Sequence, residues 1–258
     1  MPSHYAHYRF GAKVIPLLPP QVQRSIRLFR SLYDVGLHGP DIFYYYSLPM
    51  YSRVTALGSK YHNLTGGEFF VPVCKHLRLE PNEAALAYLY GVLTHYCLDS
   101  ALHDFVNQQT ADGEITHLEL EAEFDRFLLQ LDGKPRPHLH DNSGHMKLTQ
   151  GECDTVAKFY GTTPAIVDLS LTCMAANAKL ISLRNPELRR LVKKCAGREL
   201  KQNFTERTAN PKCGHLDEPM LALYDQALER FPAMMEALLA HMHHNAPLGE
   251  LFDATFNG

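Results

Sequence analysis

Pro81-Asn-Glu-Ala-Ala-Leu-Ala-Tyr-Leu-Tyr-Gly-Val-Leu-Thr-His95-Tyr-Cys-Leu-Asp99-Ser-Ala-Leu-His103 is followed, after a short polar break, by Ile115-Thr-His117-Leu-Glu-Leu-Glu121. Five metal-ligand side-chain types stand in this stretch: His95, Asp99, His103, His117 and Glu121. Within each segment they are four residues apart. On an α-helix each such step advances roughly 40° around the axis and about 6 Å along it, so the ligands share one face. His95 and His103 are then about 12 Å apart along the axis. Zinc–nitrogen bonds are only about 2 Å long, so one ion does not serve both. The spacing therefore points to more than one metal, with Asp99 bridging or lying close to a pair. His117 and Glu121 form a second pair suited to completing a site begun by His103. The competing reading is a buried polar network tying two helices together, since buried polar groups need partners of some kind.

The rest of the chain reads as helices. Residues 4–15 form a first short helix carrying His4 and His7, and residues 21–33 a second after Pro19-Pro20. Asp41 follows Gly39-Pro40 and opens the aromatic run Ile42-Phe-Tyr-Tyr-Tyr46, read as packing. His62 precedes Gly66-Gly67 and a helix over 68–77. The long helix is expected from Pro81 to about 108. Thr116 with Glu119, and Thr149 with Glu152, are capping boxes that start helices. Thr163-Pro164 and Asn185-Pro186 are cap-plus-proline starts. Residues 134–144 form a loop whose histidines, His138 and His140, are expected in solvent, as is His145. A last helical region over 218–244 is expected to break at Pro232. No alternating strand pattern, repeat or low-complexity segment is present. The expectation is all-α: one domain over 1–258, a multi-helix bundle with a metal cluster in a cleft, metal motifs within 1–132 and an unassigned helical part over 146–258.

A chain of 258 residues is long enough for a substantial core. Its net charge of −3 lacks the basic footprint of a nucleic-acid binder, so no nucleic-acid partner is expected. Fifteen histidines are the compositional outlier. The six cysteines form no CxxC pair and read as small buried residues. The polar, aromatic start has no apolar h-region, and the longest apolar stretch, over 84–93, is too short to span a bilayer. The expectation is a cytoplasmic protein without a transmembrane segment.

Ala6-His7-Tyr-Arg-Phe-Gly11, Gly39-Pro-Asp41-Ile-Phe-Tyr, His62, the 87–103 stretch and His117-Leu-Glu-Leu-Glu121, taken in order, resemble the zinc-dependent phospholipase C family. Its fold is shared by three-zinc nucleases. The resemblance covers about the first half of the chain. It implies two or three zinc ions. One is held by His62, His95 and Asp99; a second by His103, His117 and Glu121; a third by His7 and a bridging Asp99. Asp41 matches the acidic position that activates or orients the attacking water. The implied reaction is attack of zinc-activated water on a phosphodiester, with a phospholipid as substrate and peripheral contact with a membrane. Secreted family members complete the third site with an N-terminal Trp. This chain has no Trp, so that site is expected to be weaker or built differently, with Pro2 exposed after loss of Met1 or with His4 stepping in as a ligand; His4 itself is expected at the surface or behind the ligands. Two other readings stand beside it: a nuclease or small-molecule phosphodiesterase, and a non-catalytic zinc-stabilised helical interaction module.

Overall fold

A computed structural model describes residues 4–46 and 52–258, so the Met1–Pro2 start lies outside the described residues. Twelve α-helices follow one another there: α1 (His4–Val14), α2 (Pro20–Leu28), α3 (Arg30–Gly36), α4 (Thr55–His62), α5 (Gly66–Leu79), α6 (Glu83–Thr110), α7 (His117–Leu131), α8 (Gln150–Tyr160), α9 (Pro164–Ile181), α10 (Pro186–Cys195), α11 (Arg198–Gln202) and α12 (Asp217–His244). Between α3 and α4 runs a 3-10 segment, Gly39–Tyr45. The described residues hold no strand, only an isolated bridge between Thr65 and Thr255.

Helix α6 is the axis of the bundle. Every residue from 87 to 99 is buried, as expected for a helix apolar on all sides. α1, α2, α3, α5 and α12 pack around it. The approach of α3 is backbone to backbone at Gly36 and Gly91. A Cβ on Gly36 would stand 2.6 Å from the Tyr88 carbonyl oxygen, and one on Gly91 would stand 2.8 Å from the Gly36 Cα. A larger residue at either position would force the two helices apart.

Local signals placed most boundaries. Thr116 and Thr149 cap α7 and α8 through complete capping boxes. Thr163 and Asn185 cap α9 and α10. Several expectations need correction. The helix expected over 21–33 is two helices, split at Phe29, whose φ/ψ of −124/49 is not helical. α6 begins after an Asn82 cap rather than at Pro81. α5 starts at Gly66 because Thr65 and Glu68 form a third capping box. α12 runs unbroken through Pro232, forgoing one backbone donor. Its end is capped by Asn245 in the left-handed region and by Arg78, which donates to the His241 carbonyl.

Among the described residues one helix, α9, is long and apolar enough to cross a membrane by length and composition alone. It buries Val167, Leu171, Met174 and Ala178 and packs on α8 and the 3-10 segment. The 84–93 stretch is therefore not the longest apolar segment. All six cysteines are unpaired, and Cys195 is exposed rather than buried.

Candidate metal centre

Five elements converge on the middle and C-terminal half of α6. His95, Asp99 and His103 lie along it, α1 supplies His7, and the 3-10 segment supplies Asp41. α4 ends on His62, and α7 begins with His117 and carries Glu121 one turn on. Apart from His117, whose side chain is 28% exposed, all are buried.

The arrangement follows from local chemistry. The Thr116 capping box fixes α7 to start at His117, so His117 and Glu121 face α6 together. His117 Nε2 lies 3.0 Å from Glu121 Oε1, and the His103 and His117 rings are 5.2 Å apart. Asp125, one turn beyond Glu121, accepts the backbone N–H groups of Tyr5 at 3.0 Å and Ala6 at 2.8 Å. These are first-turn donors of α1 that its own helix cannot satisfy. The carboxylate therefore pins the start of α1 and with it the height of His7. Gly39 adopts φ +47, and its missing Cβ leaves room for the His95 ring. The same turn delivers Asp41 two residues later.

Donor atoms fall into three groups. One is His7, His95 and Asp99; another is Asp41, His62 and His95; the third is His103, His117 and Glu121. Asp99 is the hub. Its Oδ1 is 3.1 Å from His7 Nε2, and its Oδ2 is 3.1 Å from His95 Nε2, 3.7 Å from His103 Nδ1 and 3.8 Å from His62 Nε2. One oxygen thus faces α1 and the other faces the α6 histidines. The nearest carboxylate to His62 is Asp41, at 2.8 Å, so Asp41 stands inside the ring of donors rather than apart from it.

Two histidines have their tautomers set from behind. His62 donates Nδ1–H to the Gly58 carbonyl at 2.7 Å. His103 donates Nδ1–H to the Phe256 carbonyl at 2.8 Å. Each then turns Nε2 to the cluster, where the neutral ring offers a lone pair, the arrangement that metal-binding imidazoles adopt. The Phe256 ring, itself fully buried, covers His62 and His95 with centroids 5.9 Å away in both cases.

The electrostatics favour positive charge at this centre. Burial alone would raise the Asp99 carboxyl, but the His95, His103 and His7 rings hold it well below the usual range. Burial works against a charged His103, yet Asp99 and Glu121 push its pKa up to about 9. His7 is raised by Asp99 in the same way. His62 Nε2, His95 Nε2, Asp41 Oδ1 and Asp99 Oδ2 are buried and form no hydrogen bond, although they approach one another closely. Lone pairs pointed at a common centre without donors between them are costly. Zinc's preference for mixed imidazole and carboxylate donors fits this set.

The described structure changes the reading of other histidines. His4 is buried, not at the surface. Its Nε2 meets the Tyr45 hydroxyl at 2.8 Å and its ring stands edge-on to His38. His145 is not a solvated loop residue: it stacks on Tyr8, and its Nε2 is 2.7 Å from His38 Nε2. Burial and then His145 lower His4 to about 3; burial and then Arg30 lower His145 to about 4. His138 and His140 are partly covered as well. His38, Asp125 and the Phe256 carbonyl carried no sequence signal. The first two look like ordinary core or helix residues, and a carbonyl is common to every residue.

A family model described as zinc-dependent phospholipase C matches residues 3–170, about two thirds of the chain and all eight site residues. Comparison with curated proteins and with solved structures gives no match. The match covers the same helices that converge on Asp99, and the chain belongs to the zinc-dependent phospholipase C family.

Proposed function

We propose that the protein is a zinc-dependent phosphodiester hydrolase acting on a phospholipid-type substrate in the phospholipase C manner, releasing a diacylglycerol and a phosphorylated head group. The observation that carries this reading is the convergence of buried donor atoms from His7, Asp41, His62, His95 and Asp99 beside the His103–His117–Glu121 group. Family membership supports the reaction class.

His7, His62, His95, Asp99, His103, His117 and Glu121 would hold two or three zinc ions, with Asp99 shared between two. Zinc held there would bring the pKa of water toward neutrality and neutralise charge developing on the phosphate oxygens. The protein's part is positional. Gly58 and Phe256 hold His62 and His103 in the correct tautomer. Asp125 holds α1 so that His7 reaches Asp99. Asp41 Oδ1, buried and without a hydrogen bond, is placed to orient the attacking water or accept its proton while lying against His62. Phe256, packed edge-on against Tyr96 and Phe69, forms an apolar wall behind His62 and His95. We place the protein in the cytoplasm, in peripheral contact with membranes.

A substrate panel tests the reading: a soluble phosphocholine ester, phosphatidylcholine vesicles and single-stranded DNA, each with and without chelator. Chelator-sensitive release of phosphocholine is expected. Cleavage of the DNA with the choline substrates untouched would reassign the enzyme to the nuclease branch.

A further inference from the structure

Helix α10 is turned the wrong way for a bundle helix. Its sequence, Pro186-Glu-Leu-Arg-Arg-Leu-Val-Lys-Lys-Cys195, is amphipathic, with Leu188, Leu191 and Cys195 on one stripe and Arg190 and Lys194 beside it. An amphipathic helix on a globular protein normally buries its apolar stripe. Here no residue of the helix is buried; Leu188 is 44% exposed and Leu191 56%. What fastens the helix is its basic side. Arg189 donates to the carbonyls of Ile181, His138 and Thr205, and Lys193 pairs with Glu206. Both cations also lie over the Phe204 ring. The polar side is the anchor and the leucines are left outside.

The charge around this stripe is equally uneven. Residues 184–207 hold eight Lys and Arg against three Asp and Glu, in a chain whose net charge is −3. Whole-chain charge conceals this patch. Arg184, Arg190, Lys194, Arg198 and Lys201 are exposed. Leucines set among free cations, on a helix of low overall hydrophobicity, match the chemistry of a surface that is negative outside and oily beneath. A nucleic-acid backbone would use the cations and leave Leu188 and Leu191 in water. The long basic side chains can instead run along the apolar stripe and place their charges among the head groups.

We propose that α10 is a membrane-docking helix that lies in the interface of a bilayer containing anionic phospholipid. This rests on the phospholipid reading of the metal centre and names the surface through which it would meet its substrate. The position is suitable. The Arg189 anchors, His138 and Thr205, line a narrow cleft with His4, Asp125, His140 and Ser182. That cleft reaches the first turn of α1, one turn before His7.

The test uses the full-length zinc-loaded protein and sedimentation with vesicles of phosphatidylcholine alone or with about one third phosphatidylserine. Each Lys or Arg near an anionic surface contributes roughly fivefold in binding. We expect binding to the mixed vesicles at least tenfold tighter than to phosphatidylcholine, weakened by salt. Leu188→Glu with Leu191→Glu, and separately Arg190→Glu with Lys194→Glu, should each lose at least tenfold. Arg24→Glu with Lys75→Glu, the same charge change on exposed residues elsewhere, should bind like wild type once net charge is allowed for. Hydrolysis of a soluble phosphocholine ester should be unchanged in all of them. Equal binding of wild type to both vesicles, or α10 variants that bind like wild type, would overturn the proposal. So would a concentration-dependent dimer abolished by the leucine changes, because a second copy would then be the cover. Vesicle binding without turnover of any phosphodiester would instead sink the enzymatic reading and leave this one standing.

Discussion

Phe256→Ala should both loosen the fold and empty part of the metal centre. The ring is fully buried, with neighbours Tyr96 at 4.9 Å, Phe69 at 5.7 Å, and His62 and His95 at 5.9 Å. Truncating such a side chain costs about 3–5 kcal/mol through lost transfer energy and the cavity left behind. That is a large share of the ordinary 5–15 kcal/mol of a domain. The ring also anchors the segment whose carbonyl accepts from His103. With that segment loose, His103 can turn or take its other tautomer, and its group with His117 and Glu121 is no longer preset. Phe256→Leu keeps most of the volume and should cost far less, while retaining metal. The assay is urea unfolding of metal-free and zinc-loaded protein, with zinc counted by elemental analysis. A shortened chain ending at Thr255 removes ring and carbonyl together and should lose at least one zinc equivalent. An alanine variant that unfolds at the wild-type midpoint with its full zinc content would show that the 252–258 segment plays no part in holding the centre.

Other substitutions separate the roles further. Asp99→Asn should weaken two metals at once and lower the melting temperature, because an amide lacks the charge and its nitrogen has no available lone pair, making it a poor bridge; His103→Ala should empty mainly one site. The control is exposed His243 rather than His145, which is packed on His38, and an Asp99 variant with full zinc content would disprove the bridge. Asp125→Ala leaves two first-turn donors of α1 without their acceptor and should cost about 2 kcal/mol, with weaker zinc binding at His7; Asp125→Asn should recover part of both, and zinc affinity indifferent to either change would break the link between α1 and the site. The pH dependence has a definite sign. His145 is lowered to about 4 in the folded chain, so below pH 6.5 the unfolded chain takes up a proton that the folded one refuses. Its contribution is whole above 6.5 and lost as pH falls toward 4, about 3 kcal/mol for one such group. His145→Gln should flatten that acid limb, and an unchanged slope in the variant would assign it elsewhere.

The sequence made the local parts of this molecule readable. Ligands four residues apart on α6 and α7 declare a shared face through helix geometry alone. The capping boxes at Thr116 and Thr149 fix where the flanking helices begin. The central place of Asp99 among the donors followed from the distance between His95 and His103. What could not be read depends on contacts between distant segments. Nothing near Phe29 announces the break between α2 and α3, since it holds no proline or glycine. Asp41 meets His62 only because the Gly39 turn and the end of α4 meet in space. The hydrogen bond from His103 to Phe256 spans 153 residues and uses a backbone atom that every residue shares. The outward stripe of α10 was hidden for another reason. Periodicity shows that a helix is amphipathic but does not show which side the rest of the chain will cover.

The most direct measurement is a zinc titration of chelator-stripped protein, with bound metal and hydrolysis of a soluble phosphocholine ester followed on the same samples. Two or three equivalents should bind, and activity should rise with occupancy and vanish again on chelation. Protein that takes up no stoichiometric zinc, or that hydrolyses the ester equally well without it, would contradict a zinc-dependent hydrolase built on Asp99.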